Sequence, residues 1–124
     1  MKLKSYKELI VWQKSFKLAV EVYKLTKGFP KSDLYGLTIQ MQRSAFSIPS
    51  NIAEGYARGH LTEYIQFLRI AYASGAELET QLLLGKEIGL IRLQKYEEFN
   101  CLSDEVMSML NSLIKRLREK KHKS

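Results

Sequence analysis

Apolar residues recur every three or four positions in four successive segments of this 124-residue chain, and glycine or proline separates the segments. This spacing matches the turn of an α-helix, about 3.6 residues, and places the apolar side chains of each segment along one side. Because the connections are only about three to six residues long, successive helices should be antiparallel neighbours. The pattern therefore predicts one domain over residues 1–124, an all-α, antiparallel, up-and-down four-helix bundle.

The breaks between segments give the expected bounds of the helices. We predict helices over about 5–27, 33–58, 61–88 and 93–118, followed by a frayed basic tail at 119–124. Ser5 and Glu8 have the spacing of a capping box at the start of the first helix. Pro49 lies inside the second helix, where it removes one backbone amide and crowds the preceding turn. The sequence therefore predicts a kink at Pro49.

The first helix carries two apolar stripes on nearly opposite sides. The stripe with the larger side chains is the one we assign to the core: Leu9, Trp12, Phe16, Val20 and Tyr23. The second stripe consists of Val11, Leu18, Val22 and Leu25. A helix of a monomeric bundle needs only one apolar face, so we predict that the second stripe contacts another subunit. The alternative is that both stripes are buried among the chain's own helices. Small residues at 71–76 likewise favour the close approach of another helix.

The formal net charge of +7 is unevenly distributed. Residues 1–31 carry +6 and residues 92–124 carry +3, whereas residues 61–91 carry −2. Such asymmetry favours a polyanionic partner, most often nucleic acid, although many basic proteins are merely soluble. Contacts to phosphates are largely independent of sequence and sensitive to salt. The residues predicted to make them are Lys14, Lys17, Lys24, Lys27, Lys31, Lys115, Arg116 and Arg118.

The chain has few residues suited to catalysis or metal binding. With two histidines and one cysteine, no structural zinc site can form, and we expect neither a metal nor a cofactor. Cys101 lies beside the core stripe of the fourth helix and is interpreted as a small buried hydrophobe, and His60 as a surface or capping residue. One enzymatic alternative is the Arg116-x5-His122 spacing, which resembles the helical ribonucleases of the HEPN group. Against it, the pair lies in the predicted frayed tail, so we expect no enzyme.

The sequence also indicates where the protein resides. The longest apolar run, residues 82–84, is far shorter than the roughly 20 residues that span a bilayer. With a single cysteine and no leader segment, we expect a cytoplasmic protein without a membrane span.

Several motifs together resemble one protein family. They are Leu9-Ile10-Val11-Trp12-Gln13-Lys14, Tyr35-Gly36-Leu37, Ser47-Ile48-Pro49-Ser50-Asn51-Ile52-Ala53-Glu54-Gly55, Glu63-Tyr64-Ile65-Gln66-Phe67-Leu68 and Ala76-Glu77-Leu78-Glu79-Thr80-Gln81-Leu82. Over about residues 5–118 the chain resembles the 23S rRNA-intervening sequence protein family, named after reading frames inside insertions in some bacterial rRNA genes. His60 stands where members often have serine.

The resemblance has implications for assembly and function. It implies a four-helix bundle that forms a ring-like homo-oligomer, a pentamer, with no known enzymatic activity. The family is similar to the accessory variability protein of diversity-generating retroelements, a basic pentameric barrel that binds nucleic acid and a reverse transcriptase.

Two functions remain open on the sequence alone. The first is a non-enzymatic scaffold that binds an RNA or DNA backbone through its lysine-rich surfaces. The second is a protein-interaction adaptor ring that docks a partner enzyme and has no nucleic-acid role. The two differ in whether Lys14, Lys17 and Lys24 form one continuous exposed positive surface on the assembled ring. Neutralisation by acids from the third or fourth helix of a neighbouring subunit would favour the adaptor.

Overall fold

Four α-helices form most of the chain, which we describe from a computed structural model. The description covers residues 4–123, except for the side chains of residues 33–35. The helices are α1 (Ile10–Lys27), α2 (Ile39–Ala57), α3 (Leu61–Glu87) and α4 (Leu93–Lys123). No strand occurs within that range. The all-helical prediction is therefore confirmed, and the arrangement fits a four-helix bundle.

Each helix packs against the next one along the chain, and α1 also packs against α4. The core between them consists mainly of aliphatic side chains, among which Val22, Met41, Leu68, Leu78 and Val106 are fully buried. The apolar stripes predicted for the second and fourth helices point into this core, as their spacing indicated. Burial of such side chains is the main stabilising contribution to a helical bundle.

The first helix begins later than predicted. Residues Tyr6–Glu8 form a 3-10 turn, and Leu9 is extended, with φ −71° and ψ 125°. The Ser5 hydroxyl accepts a hydrogen bond from the Lys7 amide at 3.0 Å, and the Glu8 carboxylate accepts one from the Lys4 amide at 2.8 Å. The predicted capping residues therefore stabilise the short turn, and α1 starts only at Ile10.

The second helix also starts later than residue 33. A 3-10 turn over Lys31–Asp33 and a distorted π-helical segment over Leu34–Thr38 precede α2. The backbone of Gly36 is not helical, with φ −102° and ψ −116°, and this break inside the segment interrupts the helix before α2 begins. The sequence predicts a side-chain cap and a favourable acid for this helix at Ser32-Asp33, and the side chain of Asp33 lies outside the described ones.

The fourth helix continues to Lys123, so the frayed tail predicted at 119–123 is wrong. The extension consists of glutamate, lysines and one histidine; glutamate and lysine favour helix, and the extension contains neither glycine nor proline. None of the helices in the described part of the chain is long and apolar enough to cross a membrane.

Candidate nucleic-acid interface

The stripe predicted to contact another subunit lies in the chain's own core. Val11, Leu18 and Val22 are only 6%, 1% and 0% exposed, and Leu25 packs partly buried against the same cluster. These side chains belong to the chain's own core, where α1 packs against α2 and α4, so the predicted subunit interface at Val11, Leu18, Val22 and Leu25 is wrong. Ser15 shares this inward side, and its hydroxyl is satisfied by donating to the Trp12 carbonyl at 2.9 Å.

The other stripe faces outward over most of its length, which corrects its assignment to the core, although Leu9 and Trp12 pack partly buried against the core. Phe16, Val20 and Tyr23 are 49%, 37% and 47% exposed. Together with side chains of α2 they line an open, mostly apolar groove of about 460 Å³, here called the aromatic groove. Its lining residues are Tyr6, Trp12, Phe16, Ala19, Val20, Tyr23, Phe46, Pro49, Ser50 and Ala53. The outward stripe therefore gives α1 and α2 a shared apolar surface.

Aromatic rings pack against one another along this groove. The ring of Trp12 stacks on that of Phe16, with centroids 5.1 Å apart, and meets the ring of Tyr6 edge-on at 5.3 Å. The 3-10 turn that carries Tyr6 is thereby held against α1. Stacked and edge-on pairs of this kind favour a fixed ring geometry.

Large apolar side chains are also exposed at four positions along α3, on more than one face of the helix. Ile70, Tyr72, Leu83 and Leu84 are between 39% and 50% exposed. The exposed side chains explain only part of the run of small residues at 71–76 in the same helix. Gly75 faces inward, where a Cβ atom would clash with the Met107 sulfur of α4. The close approach predicted from residues 71–76 is therefore made, at Gly75, by the chain's own fourth helix.

The lysines of α1 do not form a continuous positive surface. Lys14 pairs with Glu105 of α4, with Nζ 2.6 Å from Oε1. Lys17 and Lys24 line the groove between α1 and α4, which also contains Glu21, Glu98 and Glu105. Lys27 and Lys31 are exposed at the far end of α1. Acids of the same chain thus lie close to three of these five lysines, Lys14, Lys17 and Lys24.

The basic residues of α4 are arranged differently. Residues 115–123 contain six lysines and arginines and one acid, Glu119, which gives a formal charge of +5. Lys115, Arg116 and Arg118 are all exposed. We call residues 115–123 the basic end. Arg69 of α3 lies beside it, lining the same cleft as Arg118; sequence reasoning missed this residue.

Most of the predicted cations near α1 lie toward the end of the bundle opposite to Arg116, whereas Lys14 lies between the two ends, beside Glu105. Leu25 of α1 lies beside Glu98 of α4, whereas Leu9 lies beside Arg116. The 18 positions between Glu98 and Arg116 correspond to about 27 Å at roughly 1.5 Å per residue. The predicted phosphate-binding residues are therefore spread along the bundle, and fewer acids lie beside those on α4, where Glu8 lines the same groove as Arg116.

The structure does not bring together the pair required by the ribonuclease alternative. Arg116 lines a groove with Leu9 and Ser112, whereas His122 lines a different cleft with Thr62. Six positions along a helix correspond to a rotation of about 240°, which places the two side chains on different faces.

The other chemically notable residues also occupy defined positions. Cys101 is exposed, so its interpretation as a buried hydrophobe is wrong. His60 precedes α3 on the surface and makes no side-chain capping hydrogen bond. Within the described range, no group of three or more His, Cys, Asp and Glu side chains is placed to hold a metal ion.

Comparison with known proteins identifies the family. A family model described as 23S rRNA-intervening sequence protein matches residues 7–112. The chain is also similar to a crystal structure of a protein with unknown function from the S23 ribosomal protein family of Bacteroides thetaiotaomicron VPI-5482. The two are 30% identical with a TM-score of 0.78, and the match covers 86% of this chain and 99% of the other. No curated protein matches significantly. The chain therefore belongs to the 23S rRNA-intervening sequence protein family.

Proposed function

We propose that the protein is a non-enzymatic, self-assembling basic scaffold that binds the phosphate backbone of RNA or DNA. The observation that carries this proposal is the basic end, where six cations and one acid follow one another on an exposed helix. A positive surface of this kind attracts polyanions and releases counterions when it neutralises phosphates. The family name, which refers to rRNA, is consistent with a nucleic-acid partner.

The basic end, rather than α1, is the proposed binding surface. Lys14 is already paired with Glu105, and Lys17 and Lys24 share their groove with three acids. A cation held near a carboxylate has less electrostatic attraction left for a phosphate. Of the residues predicted from the sequence, Lys115, Arg116 and Arg118 therefore contribute most.

Self-assembly is supported by two apolar surfaces on different helices. The aromatic groove lies between α1 and α2, and α3 exposes the apolar side chains of Ile70, Tyr72, Leu83 and Leu84. When two different surfaces of one chain pair with each other, the contact is head-to-tail, and it generates a ring if the rotation closes. We propose such a ring, and the resemblance described above implies five subunits.

Within each subunit we propose the antiparallel, up-and-down order predicted from the short connections. Two contacts between α2 and α3 support it. The Ser47 and Ser74 hydroxyls lie 2.8 Å apart, and further along α2 the Cα of Gly55 faces Phe67, which comes earlier in α3. The kink at Pro49 and the cytoplasmic location stay predictions.

A second candidate function is a protein-interaction adaptor that docks a partner enzyme. The aromatic groove favours it, because exposed aromatic side chains such as Phe16, Tyr23 and Phe46 are typical of protein interfaces. The similarity to the accessory variability protein, which stays a prediction, points to the same kind of role. In this case the positive charge would serve only solubility or steering.

Fluorescence anisotropy with a structured RNA and with duplex DNA tests the proposal. The affinity should fall steeply as salt is raised, with a slope that reports the number of neutralised phosphates. The variant Lys115→Gln/Arg116→Gln/Arg118→Gln should weaken binding and reduce this slope by about 1 for each lost contact.

The matched control is Lys24→Gln/Lys27→Gln/Lys31→Gln, which removes the same formal charge from α1. This control should change the affinity and its salt slope much less. Equal effects of the two triple variants would show that only net charge matters. Absence of binding even at low salt would reject the nucleic-acid role and favour the adaptor.

A further inference from the structure

A cleft lies between the start of α3 and the basic end of α4. Its volume is about 410 Å³, within the roughly 300–1,000 Å³ typical of small-molecule sites. The residues of α3 that line it have the spacing of one helical face, as do those of α4. They are Thr62, Ile65, Gln66 and Arg69 from α3, with Arg118, Lys121 and His122 from α4. We call this site the terminal cleft.

The lining of the terminal cleft is suited to an anion. Two guanidinium groups, one ammonium group and the imidazole of His122 are combined with a hydroxyl and an amide, and no carboxylate contributes. Among the described residues, no acid forms an ion pair with Arg69 or Arg118. Ile65, which is only 7% exposed, provides an apolar floor. The two arginines of the cleft thus differ from Arg58, whose guanidinium group is paired with the Glu54 carboxylate at 2.7 Å.

The geometry points to a specific anion. We propose that the terminal cleft binds the terminal phosphate monoester of a nucleic-acid strand, with Arg69 and Arg118 as the principal contacts. A phosphate monoester carries a charge of about −1.5 to −2 at neutral pH, and arginine binds it through two parallel hydrogen bonds. Thr62 and Gln66 can donate further hydrogen bonds to its oxygens.

An end is favoured over the interior of a strand for two reasons. An interior phosphodiester carries a single charge, which the exposed outer cations of α4, such as Lys115, can already neutralise. The cleft instead combines cations from two helices around one open volume, an arrangement that matches a doubly charged group. The cleft's size leaves room for the nucleotide that carries the phosphate. This inference rests on the proposed nucleic-acid function and makes it more specific.

The test compares short single-stranded RNAs of one sequence that end in a 5′-phosphate, a 3′-phosphate or only hydroxyl groups. Binding of the full chain is measured by anisotropy at one fixed salt concentration. The phosphorylated strand that fits the cleft should bind about tenfold more tightly than the hydroxyl-ended strand, the size of one additional charge-assisted contact. Comparing the affinities of the 5′-phosphorylated and 3′-phosphorylated strands shows which end is bound.

Arg69→Gln and Arg118→Gln should each reduce the preference for the phosphorylated strand to about twofold or less, because either change removes one of the two guanidinium groups that contact the phosphate. Both side chains are exposed, so circular dichroism should show an unchanged fold. The matched control is Lys115→Gln, which should weaken both strands equally and leave their ratio unchanged. Equal affinities for phosphorylated and hydroxyl-ended strands in the unmodified protein would overturn the inference.

Failure of the proposed nucleic-acid function would give a different result from failure of the cleft inference. If no strand binds at low salt, the scaffold proposal is rejected, and a nucleoside 5′-monophosphate then tests the cleft by itself. Binding by titration calorimetry that is lost in Arg118→Gln would support a phosphate monoester site independent of longer nucleic acid. Absence of any heat of binding would overturn it.

Discussion

Lys14 of α1 and Glu105 of α4 form an ion pair across the groove between their helices, with Nζ 2.6 Å from Oε1. The two side chains are 36% and 46% exposed, so the pair contributes little to the free energy of unfolding, at most about 1 kcal/mol. Its larger consequence is electrostatic, because it offsets the charge of a lysine that the sequence alone assigns to a phosphate-binding surface.

Removing Glu105 should expose this lysine to phosphate. Glu105→Gln should raise the affinity for RNA about two- to threefold at low salt and increase the salt slope by about 1, because Lys14 becomes able to neutralise a phosphate. Lys14→Gln, in contrast, should weaken binding less than Lys115→Gln does. Anisotropy measures all three variants. A loss of affinity in Glu105→Gln would contradict this account of Lys14.

The inward and outward sides of α1 should respond differently to truncation. Leu18→Ala should lower the free energy of unfolding by about 2–5 kcal/mol, because Leu18 is fully buried and its loss leaves a cavity. Phe16→Ala should lower it by at most about 1 kcal/mol in dilute protein, because Phe16 is half exposed and loses mainly its stacking on Trp12. Urea denaturation measures both changes.

The same two variants separate folding from assembly. Phe16→Ala should weaken self-association in analytical ultracentrifugation, whereas folded Leu18→Ala should still associate. Two results together would argue against the aromatic groove as a contact between subunits. They are that Phe16→Ala associates as the unmodified protein does, and that Leu18→Ala is folded but dissociated.

Two buried glycines should differ in their tolerance of alanine. A Cβ at Gly55 would lie 2.7 Å from the Cβ of Phe67 and 3.3 Å from the Tyr64 carbonyl, atoms fixed close to the backbone of α3. Gly55→Ala should therefore destabilise by about 1–3 kcal/mol. At Gly75 the obstructing group is the flexible Met107 side chain, and alanine also gains up to about 1 kcal/mol of helix propensity.

Gly75→Ala should accordingly cost less than Gly55→Ala in the same urea experiment. The comparison is internally controlled, since both changes add one methyl group to a helix. A larger loss at Gly75 would show that Met107 is more tightly held than its chemistry suggests.

Stability at alkaline pH should depend on Tyr64. Burial, with a smaller contribution from nearby Tyr56, raises the pKa of Tyr64 to about 12 from its ordinary value of 10.0. The unfolded chain therefore releases this proton first as the pH rises. The stabilising contribution is fully present below pH 10.0 and is lost progressively as the pH approaches about 12.

The tyrosinate absorbance of the intact protein minus that of Tyr64→Phe isolates this titration from the other tyrosines. The difference should titrate near the raised pKa, and Tyr64→Phe should lose less stability across this pH range than the intact protein. A difference curve centred at the ordinary tyrosine pKa would contradict the assignment.

The sequence predicts the helices well where apolar side chains alone form the inward face. In α4, Phe99, Val106 and Leu110 recur at helical spacing and are buried as expected. In α2, Met41 and Ile48 behave in the same way. Helix starts are predicted less well, because the extended Leu9 and the non-helical Gly36 depend on local hydrogen bonds and on packing that no periodicity encodes.

The orientation of α1 could not be predicted from hydrophobicity because its inward face includes polar side chains. Ser15 and Thr26 are 0% and 2% exposed, and each hydroxyl donates to a carbonyl one turn earlier in the same helix. Such residues count as polar in a periodicity analysis, although they are satisfied when buried. Their small size also allows close helix packing, which the larger Phe16 and Tyr23 would prevent.

The candidate site was predicted only in part, since charge along the chain does not show which helices meet. Arg116 and Arg118 were found because they lie in a basic segment. Arg69 lies in a segment of net negative charge, and only the packing of α3 against α4 places it beside Arg118. The spacing of Thr62, Gln66 and Arg69 on one helical face was the available signal.

The aromatic stack described above also determines how assembly can be observed. Trp12 is the chain's single tryptophan, and it lies between Tyr6 and Phe16 in the aromatic groove. Indole emission responds to the polarity around the ring, so covering the groove would shift the spectrum of the unlabelled protein. The chain thus carries its own optical reporter at the surface where subunits are proposed to meet.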